Sequence, residues 1–483
     1  MTQADSTTGP MDAFSVRPRL STRLLRFAGL LLVVCFALLL YWNWTNLLLA
    51  VTPAKSAEEQ QQIVDELAAF GVKFQTDAET GKVTHVFFPA SRQLNDSHLL
   101  KLAGFDSVVD LQIGDNKFSD SAIKVVQGMP KLETLYASGT LITGEGLDSV
   151  ATCSELKILN VDGCFGIEPE GFAALKSLQK LEAFSASNCT FGEEGAAAFK
   201  SHPTLREINL SGNELLNLEA MTSLGSIPNL AVFILDTSPI TDKSFVGLKP
   251  AQNLEILAID YCSNLTDASL QVIGGFEKLK MLNLMGCSRM TDKGLAALSN
   301  LNDVEELNLY LSGTTPAALA QLTHMHKMVH FRFNAVEATD DELKHLQNFP
   351  LLQEIQIPGA HLTDEGLQPL SGLTELRELL IGGNDQFTGT GLKYLSNSKE
   401  LWRLGLINVP VTDEAIPTLL EFPELWDLTL RDVRVSDESI PTLGKMNLRK
   451  LGLLYTDVTP DGVSRLKKTL PECEVMFVQP EGR

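Results

Sequence analysis

The chain has 483 residues, is 44% hydrophobic and carries a formal net charge of −21. Four Arg against two Asp give residues 1–26 a charge of +2, so everything after them carries −23. That balance argues against nucleic acid or anionic lipid as partners of the long acidic part, and at the least it keeps a long surface soluble.

In chain order, Met1 to Pro18 is polar and aperiodic and is expected to be disordered. Arg17, Arg19, Arg23 and Arg26 lead into an apolar run, and no charged residue occurs from Phe27 to Ala54. As a helix, Phe27 to Val51 would span ~37 Å, enough for a hydrocarbon layer of ~30 Å. Tyr41, Trp42 and Trp44 stand near its far end, as an interfacial aromatic belt would. The run is long for a cleaved signal peptide, and Leu48-Leu49-Ala50 is a poor cleavage site. An uncleaved signal anchor is expected. Four Arg before the run against Lys55 after it place the N-terminus in the cytoplasm and the remainder outside.

Ser56 begins a helix to about Phe70, with Ser56 and Glu59 spaced as a capping box and Gly71 as its stop. Val72 to Phe74 and Val83 to Phe88 flank a turn at Asp77 to Lys82 and read as a hairpin. A repeat then takes over. Leu279 to Leu301 shows its pattern: Leu279, Leu282 and Leu284 as L-x-x-L-x-L, then Cys287, Met290, Thr291-Asp292, and Leu295, Leu298 and Leu301. The first half alternates and suits a short strand; the second has apolar residues three apart and suits a helix. Thr291 occupies the N-cap position and Asp292 the positive end of the dipole. The pattern restarts at Val83, Val108, Leu132, Leu156, Leu181, Leu205, Leu230, Leu254, Leu279, Val304, Met328, Leu352, Leu376, Leu401, Leu425 and Leu448, always 24 or 25 residues on, except 23 at the last. So short a unit cannot bury its own apolar side and needs a neighbour like itself.

On these residues the chain, from roughly Ile63 to Val478, resembles leucine-rich repeat proteins of the cysteine-containing, ribonuclease-inhibitor-like kind. It is especially similar to bacterial, planctomycete-type proteins in which a transmembrane segment precedes the repeats. The resemblance implies an α/β fold: a right-handed solenoid or horseshoe with a parallel concave sheet and outer helices. It implies an inward-pointing ninth residue that bonds the turn backbone, here Cys164, Cys189, Cys262 and Cys287, with Asn116, Asn213 and Asn384 in other units. Free buried thiols are expected there, although Cys164 and Cys189, and Cys262 and Cys287, are stacked neighbours that a bridge could join. From Met328 on the ninth residue is mostly apolar or small, as in Val336, Ala360, Val409 and Val433, so those turns must close otherwise. The unit from Leu205 replaces Thr-Asp with Leu216-Asn217-Leu218, and the unit from Val304 carries Thr315-Pro316. Val463 to Leu470 and Val475 to Val478 read as a closing helix and strand. The expected domains are a basic tail (1–26), an anchor (27–51), a linker with helix and hairpin cap (52–82), repeats (83–462) and a C-terminal cap and tail (463–483).

No phosphate loop, nucleophile elbow, H-E-x-x-H helix or C-x-x-C pair occurs. His324, His326 and His330 straddle a helix end and a strand and need not converge on a metal. No catalytic residue, metal or cofactor is expected. What remains is surface. The third residue of each unit projects from the concave sheet, giving Ile158, Ala183, Glu207, Val232, Ile256 and Met281, with Ile234 and Ala258 from the fifth. This apolar stripe is one candidate partner site. The second lies in the last four units, where Arg377, Trp402, Trp426 and Arg449 stack beside Glu378, Arg403, Asp427 and Lys450; the same residues could instead hold adjacent strands together. The expected role is a membrane-anchored, non-catalytic scaffold for a protein partner. The alternatives are a regulatory adaptor, similar to leucine-rich repeat subunits of ubiquitin ligases, and an envelope protein that assembles laterally.

Overall fold

The structure, a computed structural model, describes residues 52–479. The basic tail, the expected anchor at 27–51 with Cys35, and residues 480–483 lie outside the described residues. Among the described residues no helix is long and apolar enough to cross a membrane.

From the unit at Val108 on, each repeat opens with a strand that begins at its third residue, such as Ile158–Asn160, Met281–Asn283 and Glu378–Gly382. Among the described residues, eighteen strands form one sheet. It starts with the antiparallel pair Lys73–Thr76 and Val83–Phe87 and then runs parallel, unit by unit, to Glu474–Val478. Equivalent residues face each other, as Ile256, Met281 and Glu306 do. Most strands have three residues; from Glu354–Pro358 onward they have five. Leu279, Leu282, Leu284, Met290, Leu295, Leu298 and Leu301 are all fully buried. The unit therefore hides its apolar side against its neighbours, as the repeat requires.

The expected N-terminal cap is in place. The helix Ala57–Ala68 carries the Ser56–Glu59 capping box, and Gly71 ends it with φ +81°. Its buried Gln60 accepts from the Val83 N–H at 2.7 Å and so satisfies the first parallel strand. The closing helix Pro460–Thr469 and strand Glu474–Val478 lie where the sequence puts them.

The helical halves are shorter and tighter than expected. Asp292–Leu295 is one α-turn, and Ala296–Leu298 continues it as a 3₁₀-helix. Apolar residues three apart fit three residues per turn. Thr291 is the N-cap residue, as the sequence places it, with extended backbone, but its side chain makes no cap hydrogen bond. Its N–H and Oγ1–H both donate to the carboxylate of Asp267 in the preceding unit, each at 2.7 Å. The Thr–Asp pair is thus an inter-repeat clamp: the Asp of one unit holds the Thr of the next. It recurs between Asp120 and Thr143, Asp242 and Thr266, Asp292 and Thr315, Asp340 and Thr363, Asp364 and Thr388, Asp413 and Ser436, and Asp437 and Thr459. The clamp also explains the small residue three positions after each clamped Thr or Ser, which lies against the preceding unit's Asp. A Cβ on Gly366 would lie 2.0 Å from Asp340 Oδ1, and one on Gly462 would lie 2.1 Å from Asp437 Oδ1. Where Ser stands instead, as at Ser269, its hydroxyl donates to the same carboxylate, Asp242 Oδ1, at 2.5 Å.

Ninth-position side chains point inward and reach back one unit. Asn213 donates to Ala186 O at 2.8 Å and accepts from Phe191 N–H at 2.8 Å. The thiols of Cys164, Cys189, Cys262 and Cys287 donate to carbonyls of the preceding unit at 3.1–3.3 Å. All four cysteines are free. Val336 departs from the expectation: it is exposed, and Ala335 fills the inward place instead. The left-handed residue of that turn shifts with it. It falls on Glu337, whereas neighbouring units place it at the eighth position, as at Leu311 and Gly359.

Two sets of carboxyls respond oppositely to these turns. At Asp242 and Asp413 burial pushes the carboxyl up, but hydrogen bonds from the next unit outweigh it and the net shift is down. Asp236 and Asp260 lie side by side where the sheet turns toward the helices, and Asp260 N–H donates to Asp236 Oδ1 at 2.9 Å. Burial, and for Asp260 also the Asp236 charge, pushes both up, Asp260 to about 6 from an ordinary 3.8.

Three outcomes follow. Gly366→Val and Asp340→Ala should each destabilise by about 1–3 kcal/mol in urea titrations, and the double variant by less than their sum, because removing the carboxylate frees the space; additive losses would refute the clamp. The carboxyls of Asp242 and Asp413 hold stability at neutral pH that is lost as pH falls through their lowered folded values, whereas Asp260 costs stability as pH rises from 3.8 to about 6. Asp260→Asn, which keeps an oxygen for Asn283, should therefore raise Tm near neutral pH and leave it unchanged at about pH 4. A thiol reagent should spare Cys189, Cys262 and Cys287 in the folded chain, where burial pushes the thiols up to about 12, and label all of them after denaturation without reductant; a blocked thiol would reveal a bridge.

Candidate functional site

The open face of the sheet is built from the third and fifth residues of every unit. Strand pairing puts Ile158, Ala183, Glu207, Val232, Ile256 and Met281 in one line, as expected, with Ile234 and Ala258 in the parallel line beside Asn283. The apolar members of both lines are half-buried by their neighbours, and Glu207 is exposed between them.

Beyond Met281 the third-residue line turns polar: Glu306, His330, Glu354, Glu378, Arg403, Asp427 and Lys450. The Arg403 guanidinium sits between two carboxylates, 3.5 Å from Glu378 Oε2 and 3.6 Å from Asp427 Oδ2. At the strand entry Trp402 and Trp426 stack with centroids 4.8 Å apart and planes 11° apart, and the Arg449 guanidinium lies 6.0 Å from the Trp426 ring. Arg377 instead donates to Gln353 Oε1 at 3.3 Å. Each indole turns one face to the other, so the pair presents its edges. The structure thus brings the second candidate cluster together, with part of its bonding capacity engaged between strands.

Sequence reading missed what joins the two candidates. A hollow of about 400 Å³ runs from Met281 and Asn283 past Glu306 and His330 to Glu354. A second, of about 300 Å³, runs from Glu354 and Gln356 to Arg403 and Thr429. The second exists because the fifth residue of its unit is Gly405, over which Leu380 leans; a Cβ there would meet Leu380 Cδ1 at 2.8 Å. A glycine inside a strand was the available signal, since it marks a missing side chain on the sheet. The two patches are therefore the ends of one continuous surface.

The histidines diverge. His324 Nε2 bonds Leu298 O at 3.0 Å, His326 Nδ1 bonds Asn348 O at 3.1 Å, and His330 stands on the open face. Among the described residues no group of three or more His, Cys, Asp or Glu is placed to hold a metal ion.

Comparison with known proteins follows this geometry. Residues 277–299 match a family model described as a leucine rich repeat. No curated protein matches the chain. A leucine-rich repeat protein of Leptospira interrogans is similar in structure, with TM-score 0.55 and 18% identity over 78% of this chain and 92% of that one. The mouse RP105/MD-1 complex gives 0.48 and 16% over 83% and 81%. The plant peptide hormone receptor RGFR1, in complex with RGF2, gives 0.44 and 13% over 85% and 82%. With sixteen units in one frame, one of them matched by the family model and 78% of the chain sharing the Leptospira fold, the chain has the leucine-rich repeat fold.

Proposed function

We propose that the chain is a non-catalytic scaffold that binds a protein partner on its open sheet face and is held in the cell membrane by the apolar run at 27–51, with the N-terminus cytoplasmic and the repeats outside. One observation carries the binding role: the continuous surface from Met281 through the two hollows to Arg403, with the Trp402–Trp426 stack at its border. It joins apolar area, hydrogen-bonding side chains and both signs of charge on a rigid sheet, the mixture that protein interfaces use. The carboxylates of its C-terminal end face Arg403 rather than each other, which suits recognition better than acid–base work. The four Arg before the apolar run support the orientation.

A second reading, lateral assembly, has one observation in its favour. Among the described residues the strand Glu474–Val478 pairs only with Lys450–Leu454, and Met476 and Val478 are exposed on it.

A membrane-impermeant cross-linker applied to intact cells tests both readings together. A single heterologous adduct is expected. Trp402→Ala with Trp426→Ala, or Arg403→Glu, should reduce it tenfold or more while Tm falls by only a few degrees. Adducts of the chain with itself alone would favour lateral assembly, and no adduct from the outer side would overturn the orientation.

A further inference from the structure

Away from the sheet face, the strand-to-helix turns of the units from Leu132 to Leu205 form a rim on which large apolar side chains stand in solvent. Leu141 is 56% exposed, Phe165 77% and Leu215 47%. Three contacts make the rim continuous. Thr143 bridges Gly166 in parallel, which sets Phe165 beside the Leu141 segment. The Thr190 hydroxyl donates to Ile167 O. Leu215 packs on Gly192, where a Cβ would be only 3.0 Å from its own.

The Thr–Asp clamp lapses along this same stretch: Gly144, Pro169, Glu193 and Leu218 stand where other units carry the clamping Asp, Glu193 accepts only from the Asn217 side chain at 3.1 Å, and Asp162 holds the next unit at the sheet side, through Ser185 and Ser187, instead. At the end of the stretch, between the unit from Leu205 and the unit from Leu230, a cleft of about 240 Å³ opens, lined by Leu216, Leu218, Pro239 and Ile240, with Glu219 and Lys243 at its walls. Residues 163–175, 188–199 and 212–224 contain six Glu and no Lys, Arg or Asp. All six, Glu168, Glu170, Glu193, Glu194, Glu214 and Glu219, are exposed.

We propose that this rim docks a basic segment of another protein, with bulky apolar side chains covering Phe165 and Leu215 and Lys or Arg facing the carboxylates. Charge decides among occupants. A second copy would bring six more carboxylates to the same rim, and an anionic membrane would repel it. A cationic partner is attracted over a Debye length and then buries an apolar ridge that stands exposed among the described residues.

The test uses the full chain in nanodiscs of neutral lipid and fluorescence anisotropy with a short Lys-rich peptide carrying Phe and Leu. Binding is expected, weakening about tenfold as salt rises from ~0.01 to ~0.15 M and the Debye length shrinks from ~30 to ~8 Å. Phe165→Ser with Leu215→Ser should weaken it about tenfold or more at unchanged Tm, the loss expected on removing apolar anchors. Trp402→Ala with Trp426→Ala should leave it intact, which separates this site from the sheet face. No binding, equal binding of a peptide with Ser in place of its apolar residues, or indifference to the Phe165 and Leu215 changes would overturn the proposal. So would a concentration-dependent dimer lost in Phe165→Ser, which would assign the rim to a second copy.

Discussion

Each unit of this chain is left incomplete in a way that only the next unit can repair, and the Thr–Asp clamp shows it at atomic scale. The Asp at the start of a helix has no partner for its two oxygens within its own unit; the backbone and hydroxyl of the following Thr supply both, as Thr266 does for Asp242. Ninth-position thiols and amides reach back the same way. Single bonds of this sort are worth about 1 kcal/mol net, less than the apolar burial they accompany. Burial alone would tolerate sliding, however, and the clamps, with the sheet ladder and the ninth-position bonds, fix which residue sits over which. The straight lines of third and fifth residues, and hence any recognition surface, depend on that register.

How much of this the sequence discloses varies with the kind of information. The alternation of Leu279, Leu282 and Leu284 and the later spacing of Leu295, Leu298 and Leu301 specify strand, helix and period, because burial acts on each residue separately. Thr291 is legible as an N-cap, but the same Thr-Asp pair also clamps adjacent units, and only its distances to Asp267 reveal that second duty. A glycine such as Gly294 or Gly366 looks like a helix breaker in one dimension and becomes necessary once the neighbour's carboxylate is seen against it. Val336 shows the limit of counting: a turn that dips one residue early moves Ala335 inside and leaves the counted position outside.

The candidate site divides along the same line. Trp402 and Trp426 were legible as a stacked pair, since equivalent positions in adjacent units must be neighbours. The hollow at Gly405 was not, because it depends on Leu380 leaning across a missing side chain. Surfaces made by presence can be read from a repeat; surfaces made by absence need the third dimension. The exposed rim at Phe165 lies between these cases: its side chains are plain in the sequence, but that they stand uncovered is not.

The clamps fall into four runs, broken between Thr143 and Thr241, at Pro316 and at Gly389. At Pro316 the break is explicit, since Thr339 N–H turns to its own unit's Glu342 for lack of a carboxylate behind it. In an array whose stability is a sum of nearest-neighbour terms, weaker joints divide one long domain into blocks that open separately. Such a molecule yields to tension or proteolysis by segments rather than all at once, so damage to one block leaves the surfaces carried by the others standing.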